Sequence, residues 1–250
     1  MIRLKTAEEI TAIREASRLL VTVLEELERL VQPGITTLDL DQYAYKRITE
    51  LGARPAFLGY MDFPASLCTS VDSAVIHGIP DKRKLRSGQV VSIDCGVKYR
   101  GFYSDAAITV PVGEISAEIR KLLQITQQSL MLGIEQAKAG NRIHDISRAV
   151  YRHTRSEGYG VVRPYCGHGV GLDIHEEPQV PNYVGRGPNP RLKSGMVLAI
   201  EPMINLGSDD VRVLSDDWTV VTADGSVSAH FEHTVAILDG KTEILTLRDL

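Results

Sequence analysis

Leu85-Arg-Ser-Gly-Gln-Val-Val-Ser-Ile-Asp94 returns 107 positions later as Leu192-Lys-Ser-Gly-Met-Val-Leu-Ala-Ile-Glu201, with five of the ten positions identical and four conservative. Each copy reads as a Ser-Gly turn, an apolar strand and a closing acid. Working outward, Pro33-Gly34 to Leu51-Gly52 aligns with Ala139-Gly140 to Glu157-Gly158 at an offset of 106. The alternative is chance likeness between two Ser-Gly turns leading into buried strands; the second match is weak alone but stands in register with the first. The spacing predicts two related halves, approximately residues 6–112 and 116–239, within a single domain covering residues 1–250.

Each half opens with helices. Thr6 stands three residues before Glu9 in a capping-box pattern, and Ile10, Ile13, Leu20, Leu24, Leu27 and Leu30 keep helical spacing until Pro33-Gly34 stops them. Ser116 to Lys138 is the counterpart in the second half. A shorter helix follows in each, about 37–51 and 143–157, both closed by glycine. Strand-like stretches come next, roughly 66–78, 89–97 and 102–111, then 196–205, 217–222 and 229–238. Helix, helix, then antiparallel strands, twice over, predicts an α+β fold of two pseudo-symmetric halves, with the sheets joined into one curved surface and the helices on its outer side.

The composition narrows the function classes. With 43% hydrophobic and 24% charged residues the chain is expected to fold around a sizeable core. A net charge of -4 without long runs of either sign argues against a broad nucleic-acid-binding face. Three scattered cysteines, Cys68, Cys95 and Cys166, make neither a disulfide framework nor a four-thiolate zinc site, and a reducing cytoplasm fits them. Met1-Ile-Arg-Leu-Lys-Thr6 lacks the apolar stretch of a secretory signal, and no window suits a membrane span.

The acids that close the repeat carry the chemistry. Asp94 follows Val90-Val-Ser-Ile93 and Glu201 follows Val197-Leu-Ala-Ile200. A lone acid at a strand end ordinarily reaches water or caps a turn; a buried one is costly unless neutralised. Placing a two-residue turn at Tyr99-Arg100 makes paired numbers sum to 199 (94 + 105). Asp94 is then directly opposite Asp105, about 4.5–5.5 Å away at Cβ. Either one of the two is protonated or a cation lies between them.

Three further residues come from the second half: Glu232 in Ala229-His-Phe-Glu-His-Thr-Val-Ala-Ile237, His168 in Cys166-Gly-His-Gly-Val-Gly171, and His175 in Asp173-Ile-His-Glu-Glu-Pro178. The glycines beside His168 permit close approach of a ligand or a strand. His168 and His175 are an odd number of residues apart, so one regular strand would aim them at opposite faces and their roles should differ. Four carboxylates and an imidazole form a hard, oxygen-rich set suited to Mn, Fe, Co or Zn. Four negative charges call for about two divalent ions, the usual arrangement for metal-assisted hydrolysis.

The order Asp94, Asp105, His168, Glu201, Glu232, set among His77-Gly-Ile-Pro80, Gly167-His-Gly169, Glu201-Pro-Met203 and Phe231-Glu-His-Thr234, resembles the methionine aminopeptidases of the pita-bread fold, type I in its short bacterial form. The resemblance runs from about Thr6 to Leu247. It implies removal of the initiator methionine from nascent chains, preferably before a small residue, by a hydroxide bridging two divalent metal ions. In that scheme Asp94 binds one metal, His168 the other, Asp105 and Glu232 bridge, and Glu201 binds a metal while shuttling a proton. His77 and His175 are then substrate-facing: His175 steadies the scissile peptide and His77 lies near the leaving group. Tyr60, Phe63, Cys68 and Trp218 look like walls of the methionine pocket, while Phe57 and Ile174 replace a small residue and an aromatic one, swaps that offset each other in volume or reshape the pocket.

The implied partners are N-terminal peptides of nascent proteins, with transient ribosome contact, no specific nucleic acid, no membrane and a monomeric chain. Gly167-His-Gly-Val-Gly-Leu-Asp-Ile-His-Glu176 is also similar to a motif of the Xaa-Pro aminopeptidases. A second rival is a pita-bread protein that has lost catalysis and acts as a binding module, although such proteins lose metal ligands and this chain keeps all five positions.

Overall fold

A computed structural model of the chain describes residues 1–248. Helix α1, Ala7–Leu30, starts where the capping box puts it: Glu9 N–H donates to Thr6 Oγ1 at 3.2 Å and Thr6 N–H donates to the Glu9 carboxylate at 2.8 Å. Its buried stripe runs Ile10, Ile13, Ala16, Leu20, Leu24 and Leu27; Leu30, expected in the same row, is only half-buried. Helix α2, Thr37–Glu50, lies beside it. Both pack on a sheet in which Val90–Tyr99 pairs with Phe102–Pro111 along one edge and with Leu67–Val71 and Arg54–Pro55 along the other.

The second half repeats the plan with α3, Ala117–Gln136, and α4, Ile143–Ser156. They cover a five-stranded sheet in the order Lys241–Ile244, His233–Leu238, Val197–Ile200, Gly167–Gly169, Glu176–Val180. The backbone clamp joining helices to sheet occurs in both halves. Gly34 N–H donates to Leu85 O (2.8 Å) and Leu85 N–H to Ile35 O (2.8 Å); Gly140 N–H donates to Leu192 O (2.9 Å) and Leu192 N–H to Asn141 O (2.7 Å). Gly34 and Gly140 hold nearly the same left-handed φ, 98° and 97°, which glycine adopts without penalty.

Three expectations need correction. The first hairpin turns at Arg100-Gly101, both with positive φ (49° and 91°) as a type I′ turn requires, and not at Tyr99-Arg100. Paired numbers therefore sum to 201 (94 + 107), so Asp94 faces Ala107 and Asp105 faces Gly96. A turn moved by one residue shifts the register by two, which keeps Asp94 and Asp105 on one face as diagonal neighbours. The stretch 66–78 is two strands, Leu67–Val71 and Ala74–Ile76, bent at Asp72 with φ 52°. The stretches 196–205 and 229–238 are each interrupted, at Glu201-Pro202 and at Phe231-Glu232.

That interruption is local. Ile200 pairs with His233 on one side of it and Met203 with His230 on the other, in one register (200 + 233 = 203 + 230), so Glu201 stands opposite Glu232 in the gap. Pro202 has no N–H to give to a ladder, which opens the pair there. Between these strands the chain makes an excursion in which Val211–Val213 pairs with Val220–Thr222, and Val220–Thr222 pairs in turn with Ala74–Ile76 of the first half. The halves also meet along a seam of hydrogen bonds to the backbone. Thr234 Oγ1 donates to Asp105 O (2.7 Å) and accepts from Asp105 N–H (3.1 Å), Thr109 Oγ1 donates to His230 O (2.7 Å), and Glu232 N–H donates to Ala107 O (2.9 Å). No helix among the described residues is long and apolar enough to cross a membrane.

Candidate active site

A cavity of about 570 Å³ opens onto this seam, with Asp94, Asp105, His168, Glu201 and Glu232 on its floor. Asp94 and Asp105 come from the unbroken hairpin, Glu201 and Glu232 from the gap, and His168 from Gly167–Gly169. His168 Nε2 lies 3.5 Å from Glu201 Oε1 and 3.9 Å from Asp105 Oδ2. Donor atoms of Asp105, His168 and Glu232 all fall within 4.8 Å of one another. The glycines flanking His168 are required by backbone contact: a Cβ at Gly167 would overlap Ala199 O and one at Gly169 would overlap Glu177 O.

The electrostatics of this floor are unfavourable as the side chains stand. Asp105 and Glu232 are each 3% exposed, and Asp94 Oδ1, Asp105 Oδ1 and Glu232 Oε1 are buried without a hydrogen-bond partner. Burial pushes the Asp94 carboxyl up to about 7 and that of Glu201 up to about 8. Burial, reinforced by the neighbouring acids, holds Asp105 and Glu232 well above the usual carboxylate range. Loss of water drives His168 down to about 3, so its ring is neutral at pH 7. Orphaned carboxylate oxygens and a neutral imidazole converging on one point are the donor set a divalent cation takes.

The histidines named from the sequence also face the cavity. His175 lies 4.3 Å from His168, ring centre to ring centre, and the chain reversal between them is why the odd spacing does not separate them. Its Nδ1 is 3.0 Å from Tyr60 Oη. His77 stands edge-on to Tyr165 at 5.7 Å and to Trp218 at 6.3 Å, and burial lowers it to about 4. Its backbone is left-handed, φ 57°, next to Gly78, where a Cβ would overlap Thr69 O.

The wall adjoining these histidines is apolar. Phe57, Phe63 and Cys68 belong to one buried cluster, and Trp218, carried in by the excursion of the second half, meets Phe63 edge-on at 5.0 Å. Tyr60 completes this side. Ile174 belongs to the same buried cluster but does not line the cavity.

Sequence reading overlooked His230. It is 1% exposed, its Nε2 lies 3.6 Å from Glu201 Oε2, and both ring nitrogens lack a hydrogen-bond partner. Its place two residues before Glu232, on the same strand face by parity, was the available signal.

Buried acids without counter-charge, at the end of a substrate-sized cavity in a pita-bread fold, define a metal-dependent hydrolase. The family model "Metallopeptidase family M24" matches residues 11–239. A methionine aminopeptidase of Clostridium perfringens is 52% identical over 247 residues, covering 99% of each chain. The crystal structure of methionine aminopeptidase from Rickettsia prowazekii superposes with a TM-score of 0.96 at 38% identity, covering 99% of this chain and 100% of that one. The prolidase from Pyrococcus furiosus shares the fold at TM-score 0.82 and 25% identity, but this chain covers only 66% of it. The chain belongs to metallopeptidase family M24 and, within it, to the methionine aminopeptidases.

Proposed function

We propose that residues 1–250 act as one catalytic domain that removes the initiator methionine from peptides and nascent proteins, preferably before a small residue, using two divalent ions on Asp94, Asp105, His168, Glu201 and Glu232. The observation that carries this reading is the cluster of four carboxylates, Asp105 and Glu232 buried and Asp94 and Glu201 partly so, three of them with an orphaned buried oxygen, beside an apolar pocket. The charge count calls for about two divalent cations, and Mn, Fe, Co and Zn all suit the donors. When bound, such ions lower the pKa of water and polarise the scissile carbonyl.

The protein's own residues divide the remaining work. Glu201, pushed toward neutrality by burial, takes and returns a proton at its carboxylate oxygens. With Nδ1 of His175 engaged by Tyr60, Nε2 is the atom left to steady the oxygen of the scissile carbonyl as charge develops on it. His77, neutral at pH 7, faces the leaving portion of the substrate from the far side. The wall of Phe57, Tyr60, Phe63, Cys68 and Trp218 offers apolar and aromatic surface to an unbranched thioether, with Ile174 packed behind it. A cytoplasmic monomer that meets nascent chains at the ribosome is the setting this activity fits.

The test is release of methionine from Met-Ala-Ser after chelation and separate re-addition of Mn, Fe, Co and Zn. Activity should vanish on chelation and return with at least one metal. Cleavage of Ala-Pro-Ala with no methionine released from Met-Ala-Ser would replace this reading with the Xaa-Pro one.

A further inference from the structure

His175 enters the cavity from a turn, residues 171–175, that leaves Gly167–Gly169 and returns as Glu176–Val180. The turn has few backbone bonds of its own. A side chain closes it: Glu176 Oε1 accepts from Leu172 N–H at 2.7 Å and from Asp173 N–H at 3.1 Å. The other oxygen, Oε2, accepts from Lys5 Nζ at 2.7 Å and from Arg3 Nε at 3.2 Å. All four contacts are spent on the protein, so although Glu176 borders the cavity its carboxylate has no free capacity for substrate.

The two cations are not equivalent. The Arg3 side chain is 40% exposed, whereas the Lys5 and Glu176 side chains are 1% and 2% exposed. Lys5 is also fixed by its backbone, which donates to Gly195 O at 2.7 Å. Its stem lies so close to Gly171 that a Cβ there would come within 3.2 Å of Lys5 Cε. The N-terminal segment is thus strapped across the second-half sheet and delivers one dry cation to the carboxylate beneath the His175 turn. A surface pair contributes little, but removing one partner of a desolvated pair leaves an uncompensated charge that must find water or a proton.

We propose that Lys5 is a positioning residue for His175: by neutralising Glu176 where water cannot, it keeps that carboxylate bonded to the Leu172 and Asp173 amides and so holds the His175 ring against the cavity. The proposal rests on the reading of His175 as substrate-facing. It assigns a part of the reaction to Lys5, which lies far in sequence from all five proposed metal donors.

The experiment is a double-mutant cycle of Lys5→Met and His175→Ala, assayed on Met-Ala-Ser at saturating divalent metal. Lys5→Met alone is expected to lower kcat about tenfold, and in the His175→Ala background to lower it less than about twofold, because the group it positions is already gone. Equal losses in both backgrounds, or an unchanged kcat in Lys5→Met, overturn the proposal. Absence of methionine release by the unmutated enzyme would instead sink the underlying functional reading.

Amide hydrogen exchange on the chelated protein gives a readout independent of turnover. Exchange at Leu172 and Asp173 should quicken in Lys5→Met while that of α3 does not; uniform quickening would mean general destabilisation and overturn the proposal. Should Lys5→Met fail to fold, the neutral pair Lys5→Met with Glu176→Gln retains Oε1 as an acceptor. It is expected within about threefold of wild-type kcat, and a loss beyond about tenfold would overturn the proposal.

Discussion

The two halves solve one problem in different ways. In the first, the pair Val90–Tyr99 and Phe102–Pro111 runs unbroken to a two-residue turn, and its acids are aspartates on diagonal positions of one face. In the second, the equivalent pair is interrupted, and its acids are glutamates standing opposite each other where the ladder stops. An intact strand fixes its Cβ directions, so a short side chain can be aimed by the ladder alone. At a gap the backbone is no longer fixed by pairing, and the extra methylene of glutamate supplies reach. The gap has a second effect: with no tight turn to close it, the second pair is joined through an excursion that pairs with the first half and carries Trp218 to the pocket. One half is the rigid anvil of the site and bears most of its apolar wall; the other contributes Glu201, Glu232, His168 and His175 and adds Trp218 to that wall.

The strongest way to break this picture is to remove an acid from each half. Asp94→Ala and Glu201→Ala are each expected to lower turnover at saturating metal by at least about 300-fold, the scale of a lost metal donor or proton shuttle. If one half tolerates the change with near-normal activity, the metal centre is not shared as assigned.

Without metal the sign reverses. Asp105→Asn and Glu232→Gln should each stabilise the chelated protein by about 1–3 kcal/mol, since each removes a buried acid crowded by its neighbours. Thermal unfolding in chelator measures this; a lower midpoint in both variants would show that the acids are not in conflict.

The pH dependence of the chelated protein follows from the same crowding. Asp94 and Glu201 are raised by burial from 3.8 to about 7 and from 4.5 to about 8, so the folded state binds protons that the unfolded state has released. Stability from these groups is full below about pH 4 and is lost as pH rises through 7 and 8. His168 and His77, lowered from 6.5, work the other way but only below pH 6.5. Between about pH 6.5 and 8.5 the unfolding midpoint in chelator should therefore fall with pH, and divalent metal should abolish the decline. A midpoint that climbs over this window would contradict the site as described.

Smaller effects separate the wall from the scaffold. Trp218→Ala should raise KM for methionyl peptides about 3–10-fold with less change in kcat, the value of an aromatic contact near substrate. Gly101→Ala, which puts a Cβ at φ 91° in the first-half turn, should cost about 1–2 kcal/mol of stability and leave turnover of the folded enzyme unchanged. Loss of turnover there would mean that the rigid half does more than hold its acids.

The helices were legible because capping and apolar spacing are local: Thr6 with Glu9, and Ile10 to Leu27, need no partner to be read. The face shared by Asp94 and Asp105 was legible too, since strand parity survives a register error of two. The register itself was not, because Arg100-Gly101 and Tyr99-Arg100 differ only in which residue must accept positive φ, and the glycine was the clue. Pro202 marked the break in the second pair, yet nothing local reveals that pairing resumes in register beyond it. His230 was hidden because its partner, Glu201, lies on another strand.

His77 holds a left-handed backbone that a side chain with a Cβ occupies at a cost of roughly 1 kcal/mol, while glycine would sit there more easily. Heat resistance and activity therefore pull in opposite directions at this one position. A laboratory selection for thermostable variants with no activity filter is expected to trade this histidine away early, and parallel selection for methionine release to keep it.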